Sequence, residues 1–493
     1  MIRASRSFYI ISVFTLLVLS ALPAVGITSS SPLEQKTRFF ELPNGLKVII
    51  LERHQSPTVA LYVAYRVGGV DEEEGKTGTA HLLEHMMFKG TPTIGTKNFA
   101  REKVVLARII KTEKLLEREK DADKAEKLRN RLKSLKKEQQ KWVKSNEIDR
   151  LYTEAGGVNI NASTSIDLTE YHVSLPANKL ELWARIEADR MANIVMREFF
   201  EERQVVLEER RQRKEANPQG ALYEEFISLA FTRHPYRRPV IGWETDISRL
   251  QPEDLARFKR NFYAPNNATV AIVGDVKTED ALKIVKRYFA SILGRKVVRP
   301  DIPPEPPFLG TRRVSLSIKA NRRLMIGYHK PPPPQPDNYV FDVIETILSR
   351  GRAGRLYKKL VDERGIAESV GAQNGLPGDR YPNLFVISGT PRGGYDNRVL
   401  EEAISEILEE LKEKDVPVEE LTAVKNNMKA DFIRLQETNE GIAQMLVYYQ
   451  SLLGDYRYAF TYLDEISKVT PTDIRRVAEK YLKKSARILA TID

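Results

Sequence analysis

Two histidines and a glutamate lie within the five residues His81–His85, where the sequence reads HLLEH. If this stretch is helical, the three side chains share one face, because residues three and four apart are neighbours on a helix. Two imidazoles on one face can bind a metal ion such as zinc at about 2.0–2.1 Å. Glu84 then lies close enough to take a proton from water that the ion activates. The order of the residues is the reverse of the commoner zinc-protease motif.

The residues inside and after this motif are apolar: Leu82, Leu83, Met86, Met87 and Phe88. Apolar flanks predict a buried helix, and buried histidine and glutamate side chains need partners. The pattern therefore favours a metal site over the alternative, which is a hydrogen-bonded cluster in the core.

A zinc site needs a third protein ligand, and the segment 201–213 (EERQVVLEERRQR) offers several carboxylates. Glu202 and Glu209 are two helical turns apart and share a face, with Val205 and Val206 between them. Glu201 and Glu208 form an equally spaced pair, so spacing alone does not choose between the two pairs. A solvated surface helix with local Glu–Arg ion pairs is the further alternative.

The composition restricts the ligands and partners that the chain can use. Its 493 residues are enough for two or three domains, and 42% of them are hydrophobic, which suffices for large cores. With no cysteine, the chain has no thiolate ligand, disulfide or lipoprotein anchor, so a metal site must use histidine and carboxylate. The net charge of +11 is concentrated between Arg101 and Arg150. This local excess, without a nucleic-acid-binding motif, argues against nucleic acid as a partner.

The N-terminus has the pattern of a secretory signal peptide at residues 1–26. Arg3 and Arg6 precede an apolar run from Phe8 to Leu22, and the small residues Ala24-Val25-Gly26 precede a polar stretch. We expect cleavage after Gly26 and a periplasmic or secreted mature protein. The alternative is a retained membrane anchor, the only case in which a segment of the chain would insert into a membrane.

The remaining pattern predicts an α+β chain with a helical insertion. Residues 101–150 are rich in Lys, Arg, Glu and Leu and contain no Gly or Pro, which predicts a helical hairpin that turns near Asp121 and projects from the body. Its basic face is either solvated or a docking site for an acidic partner or membrane surface. The other segments predict strands and one long helical region: strands in 38–51, 58–68, 156–175 and 268–273, and helix in 179–213.

An internal repeat divides the chain. Residues 246–275 and 465–493 align with Pro252 and Pro471 in register, and each predicts a helix followed by a final strand. A Pro-rich spacer at 299–308 separates the copies. We therefore expect two homologous domains, 32–298 and 309–493, each a mostly antiparallel sheet packed with helices. Because residues 343–356 of the second copy lack histidine, only the first copy should hold the chemistry.

Four ordered motifs resemble the pitrilysin family of zinc peptidases, which includes insulin-degrading enzyme and the mitochondrial processing peptidase: GTAHLLEHMMFKGT, NASTS…TEYH, EERQVVLEE and HPYRRPVIG. The resemblance implies an endopeptidase of the inverted-motif type that holds one Zn²⁺ per chain and cleaves unstructured peptides or small polypeptides. It assigns the residues as follows: His81, His85 and Glu209 as metal ligands, Glu84 as general base, Glu202 as assisting carboxylate, and Asn161-Ala162 as part of the strand that binds the peptide.

One departure from the family pattern concerns the second domain. Active members carry an Arg and a Tyr, seven residues apart, where this chain has Val361 and Glu368, and Arg364 is out of register. We therefore hypothesise a heterodimer with a related non-zinc subunit that supplies both groups, although a homodimer is the other arrangement. The competing function is a catalytically silent assembly subunit, against which the intact ligand set argues.

Overall fold

A computed structural model describes residues 31–306 and 310–493 of the chain. The expected signal peptide, residues 1–26, lies outside the described residues, as do residues 307 and 308 of the expected linker. Within the two described ranges, no helix combines the length and the apolar character that crossing a membrane requires.

The described residues form a mixture of helices and short strands. The strands are β1 (Thr37–Glu41), β2 (Lys47–Glu52), β3 (Thr58–Tyr65), β4 (Val158–Thr164), β5 (Thr169–Pro176), β6 (Ala268–Gly274), β7 (Arg312–Leu316), β8 (Arg323–Lys330), β9 (Ala367–Leu376), β10 (Asn383–Pro391) and β11 (Arg487–Ile492). The helices are α1 (Pro32–Lys36), α2 (Thr79–Met86), α3 (Phe99–Leu116), α4 (Ala122–Gln140), α5 (Glu147–Glu154), α6 (Leu180–Asn193), α7 (Phe199–Lys214), α8 (Pro218–Ala230), α9 (Glu244–Ile247), α10 (Pro252–Phe262), α11 (Thr278–Phe289), α12 (Pro336–Ser349), α13 (Asn397–Glu413), α14 (Val418–Leu435), α15 (Asn439–Leu453), α16 (Tyr458–Lys468) and α17 (Pro471–Tyr481).

The strands form two sheets with the same strand order, apart from β1, which is present only in the first sheet. The first has the order β1-β2-β6-β3-β5-β4 and the second the order β7-β11-β8-β10-β9. In the first sheet β2 and β6 are parallel, in the second β7 and β11 are parallel, and the other pairings are antiparallel. The prediction of an α+β fold with two similar, mostly antiparallel sheets is therefore confirmed.

The hairpin of β1 and β2 illustrates how the local sequence sets this register. Gly45 adopts φ +82°, a conformation that other residues rarely take, and a Cβ there would lie 2.5 Å from the Cβ of Asn266. Asn44 accepts a hydrogen bond from the Leu46 amide at 3.2 Å, and the Leu42 amide donates to the Leu46 carbonyl at 2.9 Å. The turn therefore fixes the register of β1 against β2 through local hydrogen bonds.

Each sheet is covered on one face by helices of its own half and on the other by a helix of the other half. Helix α15, from the C-terminal half, packs Ile442 and Leu446 against the first sheet. Helix α8, from the N-terminal half, packs Leu222 and Phe226 against the second sheet. The two halves therefore complete each other's cores by a reciprocal exchange of helices.

The inserted segment is a helical hairpin of α3 and α4, as predicted, and these helices pack through Val105, Ile109, Leu132 and Leu135. The expectation that it projects from the body is wrong. Lys136 Nζ lies 2.6 Å from a Glu201 oxygen, and Arg203 of α7 lies 2.7 Å from Glu117. Because residues of the hairpin form these ion pairs with α7, the hairpin lies along the body instead.

Candidate metal centre

Helix α2 presents the histidine motif and has a fixed starting point. The carboxylate of Glu72 accepts hydrogen bonds from the amides of Gly78 (3.0 Å) and Ala80 (2.8 Å), two of the donors that a helix N-terminus leaves unpaired. Gly78 has φ +86°, and a Cβ there would lie 2.6 Å from the Ile241 carbonyl oxygen. The helix therefore begins at a defined position before His81, and its apolar residues are buried.

Helix α7 supplies the carboxylates, and the structure distinguishes the two equally spaced pairs. Glu202 and Glu209 face α2, whereas the side chains of Glu201 and Glu208 are 42% and 49% exposed. These outer glutamates pair with Lys136 and Arg211 instead, both at 2.6 Å. The expected apolar stripe is only half present, because Val206 is buried but Val205 is exposed.

The three expected ligands converge on one point. The Nε2 atoms of His81 and His85 each lie 3.7 Å from Oε2 of Glu209, and the candidate donor atoms of the three residues lie within 4.8 Å of one another. Ligands held at about 2.0–2.1 Å by a tetrahedral ion are about 3.3–3.4 Å apart. Among the described residues, Oε2 of Glu209 is buried without a hydrogen-bond partner. The donor set and this open oxygen therefore fit a bound zinc ion.

The surroundings orient His85 and keep His81 neutral. Nδ1 of His85 lies 3.2 Å from Oε2 of Glu202, which directs the Nε2 of His85 toward Glu209. Burial lowers the pKa of His81 to about 3, with smaller contributions from His85 and Arg213, so this imidazole is in the neutral form that binds metals. Burial disfavours charge on His85 as well, but the contact with Glu202 outweighs it and raises the pKa of His85.

Glu84 lies beside this cluster, one residue before His85. With His85, Phe88, Lys89 and Glu202 it lines a cavity of about 250 Å³. Burial raises the pKa of Glu84 above its ordinary value. A half-buried carboxylate at the edge of a cavity has both the access and the shifted basicity that general acid–base catalysis uses.

Two cations at the site were missed in the sequence. Lys89 Nζ lies 2.6 Å from Oε1 of Glu202, and Arg213 Nη2 lies 2.6 Å from Oε1 of Glu209. Burial opposes the charge of Glu202, but its contacts with His85 and Lys89 outweigh this and lower the pKa of its carboxyl group. The signal was available for Arg213, since it follows Glu209 by four residues on one helix, whereas Lys89 lies beyond the end of α2.

The two expected substrate-binding residues, Asn161 and Ala162, lie on β4, the edge strand of the first sheet. Helix α2 contacts this strand. Asn161 is exposed, and its side-chain oxygen accepts a hydrogen bond from the Ala162 amide at 2.9 Å. Ser163 of the same strand lines a cavity of about 770 Å³ between the halves, together with residues of α12 and α15. The edge strand β4 therefore contacts the histidine helix and also borders this cavity.

Among the described residues, one group of side chains is arranged to hold a metal ion, namely His81, His85 and Glu209 of the N-terminal half. The described part of the C-terminal half therefore has no comparable site. Val361 is buried, and Glu368 is exposed on β9. Arg364 is held by Glu406 at 2.7 Å. Where the family pattern expects an Arg and a Tyr, this chain presents an apolar side chain and a carboxylate.

Sequence-family models match both halves of the chain. The model described as insulinase (peptidase family M16) matches residues 47–105, and the peptidase M16 inactive domain matches residues 249–428. Both matches are to domains of peptidase family M16, which confirms the family resemblance seen in the motifs of the chain.

Known proteins match along nearly the whole chain. The zinc protease PqqE of Helicobacter pylori is 28% identical over 449 residues, covering 90% of this chain and 89% of that protein. A crystal structure of a protease from Helicobacter pylori superposes with a TM-score of 0.79 at 27% identity, over 93% of this chain and 99% of that one. The periplasmic protease PqqL of Escherichia coli has the same fold, with a TM-score of 0.70 and 17% identity, over 94% of this chain but only 48% of that one.

Proposed function

We propose that this chain is a zinc-dependent endopeptidase that cleaves unstructured peptides or small polypeptides. The observation that carries the proposal is the convergence of two imidazole Nε2 atoms on the unbonded, buried Oε2 of Glu209, with Glu84 at the edge of an adjoining cavity. The matches to family M16 and the zinc-protease names of relatives support it.

The proposed roles follow from these positions. His81, His85 and Glu209 hold one zinc ion, which when bound supplies a Lewis acid that polarises a carbonyl and makes water more acidic. Glu84 takes the proton of the attacking water and delivers it to the leaving amine. Glu202 holds the His85 ring by its Nδ1 and so keeps the other nitrogen turned toward Glu209.

The substrate is proposed to bind as an added strand along β4, at Asn161 and Ala162. Main-chain hydrogen bonds to a sheet edge favour extended peptides and impose little sequence preference. The cavity of about 770 Å³ next to Ser163 gives side chains of such a peptide room between the two halves. This arrangement suits unstructured chains better than folded proteins.

We propose that a related subunit completes the site. Neither Val361 nor Glu368 can stabilise negative charge on a substrate carbonyl, and loss of such stabilisation commonly costs about 10²–10³ in rate. A homodimer would lack these groups in both chains. The match of this chain to about half of PqqL is consistent with a working unit of two such chains.

We also propose a cellular location and a division into domains. A signal peptide at residues 1–26 would deliver the chain to the periplasm or outside the cell, and the relative PqqL is described as periplasmic. We assign residues 32–298 and 309–493 to two homologous domains joined by the linker 299–308, in keeping with the two equivalent sheets.

A second candidate function is a catalytically silent assembly subunit. The match of residues 249–428 to an inactive domain and the missing Arg and Tyr favour it. The joint presence of Glu84 and all three ligands argues against it, since a chain without catalysis has no need of this constellation.

The test is hydrolysis of a mixed library of unstructured peptides by purified residues 27–493 with zinc, alone and with a related non-zinc subunit. Glu84→Gln should reduce the rate by about 10²–10⁴-fold, because general acid–base catalysis is lost, while zinc content stays the same. Glu208→Gln, on the exposed side of α7, is the matched control and should leave the rate unchanged.

Two results would contradict the proposal. Full activity in Glu84→Gln would remove the assigned base. No hydrolysis by the zinc-loaded chain, with or without a related subunit, would favour the assembly function.

A further inference from the structure

The two carboxylates that face α2, Glu202 and Glu209, use their two oxygens in the same way. Glu209 directs Oε2 toward both imidazole Nε2 atoms at 3.7 Å, and its Oε1 lies 2.6 Å from Arg213. Glu202 directs Oε2 toward Nδ1 of His85 at 3.2 Å, and its Oε1 lies 2.6 Å from Lys89. In each carboxylate one oxygen faces a histidine and the other is held by a cation.

The same chemistry occurs on the outer face of α7, where no histidine is present. Arg211 pairs with Glu208 at 2.6 Å, and Lys136 bridges Glu201 (2.6 Å) and Glu113 (2.9 Å). Cation–carboxylate pairs on this helix are therefore not in themselves a sign of function. What distinguishes the inner pairs is the second carboxylate oxygen, which faces an imidazole.

An ionised carboxylate has two equivalent oxygens and can offer either or both to a partner. An ion pair with an N···O separation of 2.6 Å to one oxygen is short, so it favours leaving the other oxygen for the other partner. With Oε1 of Glu209 held by Arg213, only Oε2 is left for an ion between the histidines. With Oε1 of Glu202 held by Lys89, its Oε2 stays on Nδ1 of His85.

We propose that Lys89 and Arg213 are positioning residues for the metal centre, an inference that rests on the proposed zinc-binding function. Arg213 makes Glu209 a ligand through one oxygen, and Lys89, which also lies 3.2 Å from Glu198, keeps Glu202 on His85. Neither residue needs to touch the substrate.

The direction in which zinc affinity changes on replacing Arg213 or Lys89 distinguishes their effect on ligand orientation from the effect of their charge. Arg213 and Lys89 are cations and repel a dication, so removal of their charge alone would make zinc bind more tightly. Loss of orientation makes zinc bind more weakly, because outer partners of metal ligands commonly contribute 10–100-fold to affinity. Because the side chain of Arg213 is 65% exposed, solvent screens its repulsion, and we expect orientation to dominate.

The experiment measures zinc affinity of residues 27–493 by competition with a chromophoric chelator. Arg213→Gln and Lys89→Gln should each bind zinc about 10-fold more weakly than the unaltered chain. Arg211→Gln on α7 and Lys136→Gln on α4 are matched controls, since both remove cations that pair with the outer glutamates of α7, and should stay within about twofold of it.

Two further readouts exclude a general loss of structure. Cobalt substituted for zinc should show a changed visible absorption spectrum in Arg213→Gln but not in Arg211→Gln, because the carboxylate is free to bind through both oxygens. Thermal unfolding should be the same for Arg213→Gln and Arg211→Gln, and Arg213→Lys, which keeps one donor, should recover part of the affinity.

The outcomes separate this inference from the function on which it rests. Inner variants that bind zinc as tightly as their controls, or more tightly, would overturn the inference and leave the zinc site intact. No zinc bound by the unaltered chain would overturn both.

Discussion

The two halves of this molecule have the same framework but differ in the polar side chains that the equivalent helices carry. Both sheets have the same strand order except for the added β1. Each half also has a helix that starts at a proline, α10 or α17, followed by an interior strand of its sheet, β6 or β11. In the first half, the helix after β3 carries His81, Glu84 and His85. In the second half, the helix after β8 carries no histidine.

At the equivalent position of the second half, polar residues hydrogen-bond with one another, although Oδ1 of Asn374 has no partner among the described residues. Asn374 donates to Asp342 of α12 at 2.7 Å, and Lys330 donates to Asn338 of α12 at 2.5 Å. In the first half, Oε2 of Glu209 has no hydrogen-bond partner among the described residues. The comparison shows that the same framework presents two histidines and a glutamate that can hold a metal ion in one copy, and a polar cluster without histidine in the other.

The reciprocal helices show how far the halves depend on each other. Helix α15 buries Ile442, Leu446 and Val447 on the first sheet, and α8 buries Leu222 and Phe226 on the second. A half separated from its partner would expose one complete sheet face. Each half therefore has an apolar core of its own on one face of its sheet, while the other face is buried by a helix of the other half.

The largest expected effect comes from separating the halves. Residues 32–306 alone would lack α15 and leave buried side chains such as Leu51 and Tyr62 exposed to water. We expect no cooperative thermal transition from this fragment, because its lost apolar contacts exceed the small net stability of a domain. Co-expression with residues 310–493 should restore a soluble one-to-one complex. A fragment that unfolded cooperatively near the temperature of the full chain would show that the exchange is dispensable.

Single substitutions should have a smaller effect, and they test whether α8 and α15 contribute similarly to the free energy of unfolding. Phe226 of α8 and Leu446 of α15 are both fully buried against the sheet of the other half. Phe226→Ala should reduce the free energy of unfolding by about 3–5 kcal/mol and Leu446→Ala by about 2–5 kcal/mol. Chemical denaturation measures both, and the exposed Leu293→Ala serves as a control with little change. If either substitution reduced the free energy of unfolding by less than about 1 kcal/mol, the two helices would not contribute similarly.

The sequence predicted the elements and the histidine face well, because both depend on short-range spacing. The β1–β2 hairpin, β3 and the inserted hairpin all form where the pattern placed them. The ligand pair on α7 could not be chosen by spacing, since Glu201–Glu208 and Glu202–Glu209 have the same period. Only the packing of α7 against α2 makes one pair face the histidines.

The remaining features depend on contacts between distant segments. The apolar face of α8 indicates that it is buried, but not that it covers the sheet of the other half. The charge of the inserted hairpin suggested a solvated face, yet Lys136 and Glu117 pair with residues of α7. Lys89 follows α2 by three residues, and no helical spacing links it to Glu202.

Zinc stoichiometry, measured by equilibrium dialysis and elemental analysis, tests the central claim that one half holds the metal and the other does not. We expect one zinc per chain for residues 27–493, none for the double variant His81→Ala/His85→Ala, and one for Asp342→Asn in the second half. Zinc retained by the histidine double variant, or lost by Asp342→Asn, would contradict the account.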